Sequence, residues 1–174
     1  MKVVVISGSP RKDANTQIIM KYVYEYTKSK NQDVKLINLS DGQVECYRGP
    51  DEKYNQATKD AAKDIMEADV WLIGSPIYNS FFSAALKNLF EYVSYKETAG
   101  KVAGMAILAA GNIGFIDVQT LLTQLLSYFR VITNPNAVFL TTESINGNDI
   151  SGEGQTRLKE MVDETLKIAE KLEN

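Results

Sequence analysis

Three short apolar runs, at residues 3–6, 70–73 and 105–110, constrain the fold of this chain more than any other feature of its sequence. Nearly continuous runs such as Val3-Val4-Val5-Ile6 are expected of parallel strands covered on both faces. Strands are accordingly predicted at Lys2–Ser7, Asp33–Asn38, 69–74, 101–109 and 136–141. Between them the apolar pattern changes period. Ile18, Ile19, Tyr22, Val23 and Tyr26 share one helical face, as do Val118, Leu121, Leu122, Leu125, Leu126 and Phe129. Leu158, Met161, Val162, Thr165, Ala169 and Leu172 form a final amphipathic stripe, and residues 57–68 and 83–93 supply two further helices.

Strand and helix thus alternate five times, with no repeat, linker or low-complexity tract between them. That alternation predicts an α/β fold: an open, doubly wound five-stranded parallel sheet with helices on both faces, joined by right-handed crossovers. At 174 residues, the chain is expected to form a single domain over 1–174. Residues 39–55 and 142–153 read as its longest loops. In such sheets ligands bind beyond the carboxyl ends of the strands, where the strand order reverses. For the common order 2-1-3-4-5 that point lies between the first and third strands. A ligand is therefore expected at the loops after Ile6, Ile73 and Ala109.

What the chain lacks narrows the chemistry. It contains no histidine, which removes a histidine general base, a Ser-His-Asp triad and the usual zinc sites together. Its single cysteine, Cys46, excludes an intrachain disulfide framework and a cysteine-cluster metal site, and reads as a partly buried thiol without a role. Chemistry in such a chain is expected to belong to a bound cofactor rather than to a metal. A net charge of −3 argues against general nucleic-acid binding. No apolar run approaches the roughly 20 residues that span a bilayer, so no membrane partner is expected. The N-terminus shows no export pattern, and a cytoplasmic location follows as the expectation.

The first of the three loops lies in S-G-S-P-R-K-D-A-N-T-Q, residues 7–17. Gly8 permits a sharp turn and Pro10 delays the helix. Asn15 and Thr16 fall where that helix starts, where free N–H groups and the positive end of the helix dipole meet. Hydroxyls and amides gather there from Ser9, Asn15, Thr16 and Gln17, and Arg11 adds a forked cation. Two readings stand: a helix start capped by Asn15 or Thr16 with Arg11 solvated, or an anion seat. The stretch matches neither G-x-x-x-x-G-K-[ST] nor G-x-G-x-x-G, so a monophosphate suits the second reading better than a triphosphate or a dinucleotide.

The second loop opens G-S-P-I-Y-N-S-F-F-S-A-A-L-K-N-L-F, residues 74–90. Pro76 stiffens it, Tyr78 offers a flat face, and Asn79 and Ser80 provide polar atoms. Phe81 and Phe82 suit a core or a partner subunit better than a ligand, and Lys87 suits a solvated helix face. The third loop, A-A-G-N-I-G-F-I-D at residues 109–117, carries Gly111 and Gly114 on either side of Asn112 and Ile113. Glycines there let a backbone approach a planar ligand. Each loop alone could be a turn; three at one sheet edge point to a site.

The succession of G-S-P-R-x-x-x-N-T, then S-P-I-Y-N with an A-L-K-N helix, then a glycine-containing loop resembles the NAD(P)H-dependent FMN reductases, which are flavodoxin-like proteins. The similarity runs over about residues 1–140. It implies that Ser9, Arg11, Asn15 and Thr16, with Gln17 beside them, contact the FMN phosphate. It implies that Pro76, Ile77, Tyr78 and Asn79, with Ser80 next to them, line the flavin, and that Gly111, Asn112 and Gly114 border its ring. The chain departs from the pattern at Ala14, where the first motif often carries serine, and in a third loop with fewer glycines than usual. Relatives with an iron–sulfur cysteine cluster are not matched, because Cys46 stands alone.

The activity implied is hydride transfer from NAD(P)H to FMN, with electrons passed on to free flavin, a quinone or another small acceptor. Such transfer rests on proximity and stacking, so no side chain is assigned as a catalytic acid or base. A flavodoxin-type carrier that passes electrons to a partner protein is the competing reading; Arg11 and the mild net charge of −3 favour the reductase. Phe81, Phe82 and the apolar stripe from Val118 leave surface for a partner subunit. A homodimer or homotetramer with the flavin near its interface is therefore expected.

Overall fold

In the computed structural model, which describes residues 1–173, the apolar runs form the middle of one parallel sheet. Strands β1 (Lys2–Ser7), β2 (Asp33–Asn38), β3 (Val70–Pro76) and β4 (Val102–Ala109) are joined by helices α1 (Asn15–Ser29), α2 (Gln56–Glu67) and α3 (Ala84–Phe90). Beyond β4 come α4 (Phe115–Tyr128), the short strands β5 (Ile132–Thr133) and β6 (Val138–Thr141), the strands β7 (Ile145–Asn146) and β8 (Asp149–Ile150), and α5 (Gly152–Glu173). The sheet order is β2-β1-β3-β4, with β5 and β6 both paired to the outer side of β4, and every pairing in it is parallel. The expected order 2-1-3-4-5 is present, with the fifth place shared by two fragments.

Alternate residues of the central strands serve opposite layers, as the strand period requires. Val4, Ile6, Trp71, Ile73 and Met105 pack with Ile65 of α2, Leu86 of α3 and Leu122 of α4. Val3, Val5 and Leu72 pack on the other face with Ile19 and Val23 of α1 and with Leu158 and Val162 of α5. Full burial of one such aliphatic side chain contributes about 1.5–3 kcal/mol. Trp71 is fully buried too, and its indole N–H donates to the Ile65 carbonyl at 2.9 Å.

Several local expectations need correction. β3 continues past Gly74, pairing Ser75 with Ile107 and Pro76 with Leu108, so the second loop begins at Ile77. A proline ends a strand without loss because no further donor is needed there. The strand expected at 136–141 exists only as β6, because the chain is pinned at Asn134. That residue is buried; its Nδ2 donates to Thr165 Oγ1 at 3.0 Å and its Oδ1 accepts from the Asn136 N–H at 2.9 Å. Pro135 beside it has no N–H to offer a ladder. Residues 142–153, expected to be a loop, contain the β7–β8 hairpin, whose turn begins at Gly147 with φ +58°.

The apolar stripe of α4 does not wait for a partner subunit. Val118, Leu122 and Leu126 are buried in the core, and Leu121 and Leu125 pack against it. Cys46 is exposed rather than partly buried. It lies in a stretch that packs on α3: the Tyr47 N–H donates to Asn88 Oδ1, while Asn88 Nδ2 and the Tyr92 hydroxyl both donate to the Glu45 carbonyl, each at 2.8 Å. Tyr47 and Tyr54 stack, and Tyr92 stands edge-on to both. Burial pushes the Tyr92 hydroxyl up to about 12, with Tyr54 and Glu45 adding to the effect. Among the described residues no helix is long and apolar enough to cross a membrane.

Candidate functional site

β1 leads into α1 on one face of the sheet and its neighbour β3 leads into α3 on the other, so a crevice opens between the two loops. A cleft of about 300 Å³ occupies it. Ser9, Arg11, Asn15 and Thr16 line it from the first loop, Pro76, Ile77 and Tyr78 from the second, and Ala109, Ala110 and Thr142 from the far strands.

Gly8 lets the first loop sit this close to β3. Its N–H donates to the Gly74 carbonyl at 2.9 Å, and a Cβ at position 8 would lie 2.6 Å from that same oxygen. Its φ is not positive, so close approach rather than the turn demands glycine. Ser83 Oγ donates to the Gly8 carbonyl and accepts the Leu86 N–H at 3.0 Å, so the start of α3 clasps the first loop.

Helix α1, like α4 with Gly114 at its N-cap, begins without the side-chain cap that α2 and α3 have. Its N-cap is Ala14, in extended conformation, with no side-chain cap and no acidic residue in the first turn. Capping by Asn15 or Thr16, one of the two readings of the sequence, is therefore absent. Helices α2 and α3 are capped by their own side chains, Asn55 accepting from the Thr58 N–H at 2.8 Å and Ser83 from Leu86. The first N–H groups of a helix have no intrahelical partner and together carry roughly half a positive charge. In α1 that end borders the cleft, since Ala14, Asn15 and Thr16 all line it. At the end of β1, Ser7 Oγ is buried without a hydrogen-bond partner. Asp13, with φ +55°, turns the chain into the helix.

The side chains of the first loop divide the work. Ser9 is fully buried; its Oγ lies 3.1 Å from the Tyr78 hydroxyl and accepts the Arg11 N–H at 3.3 Å. Arg11 is exposed at the rim. Gln17 does not line the cleft; its Nε2 donates to the Arg11 carbonyl at 2.9 Å and braces the loop from behind.

In the second loop Tyr78 and Phe81 exchange backbone hydrogen bonds of 2.9 and 3.0 Å around Asn79 and Ser80. Both central residues are left-handed, at φ +51° and +59°, which is the tight hairpin turn usually built with glycine. Their side chains are exposed and lie outside the cleft, so their place is in the turn that presents Tyr78. In the third loop Gly111 and Asn112 are exposed and also outside the cleft. Gly114, at φ +88°, starts α4, and a Cβ there would come within 3.3 Å of Ile77, so this loop rests on the second one. Phe82 is buried, whereas Phe81 is 47% exposed, and Ile113 and Ile116 at the start of α4 are more exposed still. A neighbouring hollow runs from Tyr78 past Phe81 to Lys87, which is exposed and paired with Glu91.

Thr142 and Ser83 escaped the sequence reading, and Ala109 and Ala110 entered it only as the opening of the third loop. Thr142 follows the last strand, so extending the carboxyl-edge rule by one strand reaches it; Ser83 carries only an ordinary helix-cap signal. As a whole, the cleft offers uncapped helix N–H donors, the Arg11 cation and the Asp13 carboxylate at one end and a stiff, partly aromatic wall at the other. That combination suits a phosphorylated planar ligand.

The sequence model of a family described as NADPH-dependent FMN reductase matches residues 1–144, which include every residue lining the cleft. The chain is 30% identical over 149 residues to an NAD(P)H-dependent FAD/FMN reductase of Geobacillus thermodenitrificans, covering 84% of this chain and 80% of that one. It is 25% identical over 165 residues to an NADPH azoreductase of a Bacillus species, covering 94% and 90%. Among solved structures, the NAD(P)H:(acceptor) oxidoreductase FerB of Paracoccus denitrificans shares the fold at a TM-score of 0.77 and 22% identity, with 97% of each chain covered. A flavodoxin from the Archaea shares it at 0.68 and 15% identity over 100% of both chains. The fold is flavodoxin-like, and the chain belongs to the NADPH-dependent FMN reductase family.

Proposed function

We propose that this chain is an NAD(P)H-dependent FMN reductase that holds FMN in the cleft between β1 and β3 and serves a small electron acceptor. The observation that carries the reading is the uncapped start of α1, bordered by Ser9 and Arg11. An FMN phosphate is the ligand group that would complete it. The residues fit that group. The first N–H groups of α1 border the cleft without a side-chain acceptor, and the Arg11 fork can pair with two oxygens.

Asn15 and Thr16 add polar groups at the same end, and Gln17 holds the Arg11 backbone in place. Pro76, Ile77 and Tyr78 form the wall for the ring system, while Asn79 and Ser80 fix the turn that presents Tyr78. From the third loop Gly114 packs on Ile77 behind that wall, and Gly111 and Asn112, outside the cleft, would border the ring only where it projects beyond the cleft mouth. FMN held there would supply the redox chemistry, namely hydride transfer from NAD(P)H and electron transfer to free flavin, a quinone or a similar acceptor. The protein's part is to orient and to keep the reacting groups close, so no titrating side chain is assigned.

Exposed Phe81, Ile113 and Ile116 near the cleft support a homodimer or homotetramer with the flavin near the interface. The use of NAD(P)H supports a cytoplasmic location. Purified protein titrated with FMN is expected to quench flavin fluorescence, and NADPH oxidation is expected to accelerate on adding FMN or a quinone. An unchanged spectrum across the titration overturns the reading. Sedimentation as a monomer at micromolar concentration overturns the assembly.

A further inference from the structure

Ser9 and Tyr78 are 69 residues apart and meet across the point where the strand order reverses. Ser9 is buried completely, and its Oγ has two polar neighbours: the Arg11 N–H, which donates to it at 3.3 Å, and the Tyr78 hydroxyl at 3.1 Å. A serine hydroxyl has one proton and two lone pairs. The Arg11 N–H occupies one lone pair in either arrangement of the second bond. If Ser9 gave its proton to Tyr78, the Tyr78 proton would be the free one, and Ser9 Oγ would face an anion in the cleft with a lone pair and repel it. If Tyr78 donates instead, both lone pairs are filled and the Ser9 proton is left for a third partner.

We propose that Tyr78 is a positioning residue for phosphate binding: its hydroxyl donates to Ser9 Oγ and so leaves the Ser9 proton for a phosphate oxygen in the cleft. This inference rests on the reading of the cleft as the FMN site. The bond from Tyr78 to Ser9 and the bond from Ser9 to the phosphate then point the same way, so each polarises the other. Tyr78 acquires two separable contributions, since its ring borders the cleft and its hydroxyl serves the anion seat. Phenylalanine keeps the first and removes the second.

The test compares FMN with riboflavin, which lacks the phosphate, in fluorescence titrations of the unaltered protein, Tyr78→Phe, Ser9→Ala and the double variant. FMN is expected to bind Tyr78→Phe about tenfold more weakly, the effect of one hydrogen bond acting on a charged group. Riboflavin affinity is expected to change by less than about twofold, which also reports that the variant is folded. In the Ser9→Ala background Tyr78→Phe is expected to cause no further loss of FMN affinity, because the relay is already broken. Equal weakening of FMN and riboflavin would overturn the inference, since only the ring would then matter. Undiminished FMN binding by Tyr78→Phe would overturn it, as would a full tenfold loss persisting in the Ser9→Ala background. Where riboflavin binding is too weak to titrate, the FMN cycle with Ser9→Ala decides alone. An unaltered protein that binds no FMN overturns the functional reading and this inference together; an unaltered protein that binds FMN no better than Tyr78→Phe overturns this inference only.

Discussion

Two irregular segments leave the same edge of the sheet, residues 8–14 after β1 and residues 44–55 after β2, and they treat their polar groups in opposite ways. The longer one has its polar groups filled by the chain around it. The Glu45 carbonyl accepts from both Asn88 and Tyr92, the Glu45 N–H donates to Thr58 Oγ1 at 2.9 Å, and the Tyr54 hydroxyl links the Arg48 N–H to the Gly49 carbonyl. Its aromatic rings pack on one another and on the Arg48 guanidinium. The shorter one ends in a helix start with no side-chain cap, and the first residues of that helix line the cleft. Richness in aromatic and charged residues therefore says little about binding. What distinguishes a seat for a ligand is hydrogen-bonding capacity that the chain itself leaves unfilled and that converges on one cleft.

The contrast can be broken by substitution at either loop. The largest effect is expected from Arg11→Ala. FMN affinity should fall about 10–100-fold in calorimetric titration, the range for a charge-assisted hydrogen bond. The urea stability of the cofactor-free protein should stay within about 0.5 kcal/mol. Asn88→Ala should do the reverse. It strands the Tyr47 N–H and removes one of the two donors to the Glu45 carbonyl, so stability should drop by about 2 kcal/mol while FMN affinity holds.

Ala14→Asp would give α1 the kind of cap that α2 and α3 have. Stability of the cofactor-free protein should rise by about 1 kcal/mol, and FMN affinity should fall because the carboxylate occupies the N–H groups and repels phosphate. A rise in both would show that these N–H groups are not the anion seat. The smallest effect concerns pH. Folded Tyr92 keeps its proton up to about pH 12, whereas in the unfolded chain it ionises near 10.0, so the unfolded state binds fewer protons in that window. Native stability should therefore decline as pH rises from about 10 to 12, and Tyr92→Phe should flatten that part of the decline in urea melts.

The core strands were legible in the sequence because burial on both faces leaves a local mark, as in Val3-Val4-Val5-Ile6. The fifth strand was legible only as one run. Its division depends on Asn134 bonding to Thr165, 31 residues away on α5, and no local pattern encodes that. At the candidate site, Ser9, Arg11, Asn15, Thr16, Pro76, Ile77 and Tyr78 do line one cleft, as their place after β1 and β3 required. Asn79 and Ser80 stand outside the cleft in a turn set by the Tyr78–Phe81 backbone pair, and a run of polar side chains does not encode that conformation. The missing cap on α1 was misjudged for a related reason. Asn15 and Thr16 are good capping residues one and two places too late to act, and the chain puts alanine at the position that counts.

The 2.6 Å that a side-chain carbon at position 8 would leave to the Gly74 oxygen gives that position a different history from Arg11. Gly8 answers to the spacing of two strands, which any descendant keeping this sheet must preserve. Arg11 answers only to what occupies the cleft. In a lineage that retained the architecture and abandoned the chemistry, Arg11 would drift and Gly8 would stay. The two positions would thus report separately on the scaffold, through the Gly8–Gly74 spacing, and on the ligand, through the Arg11 side chain.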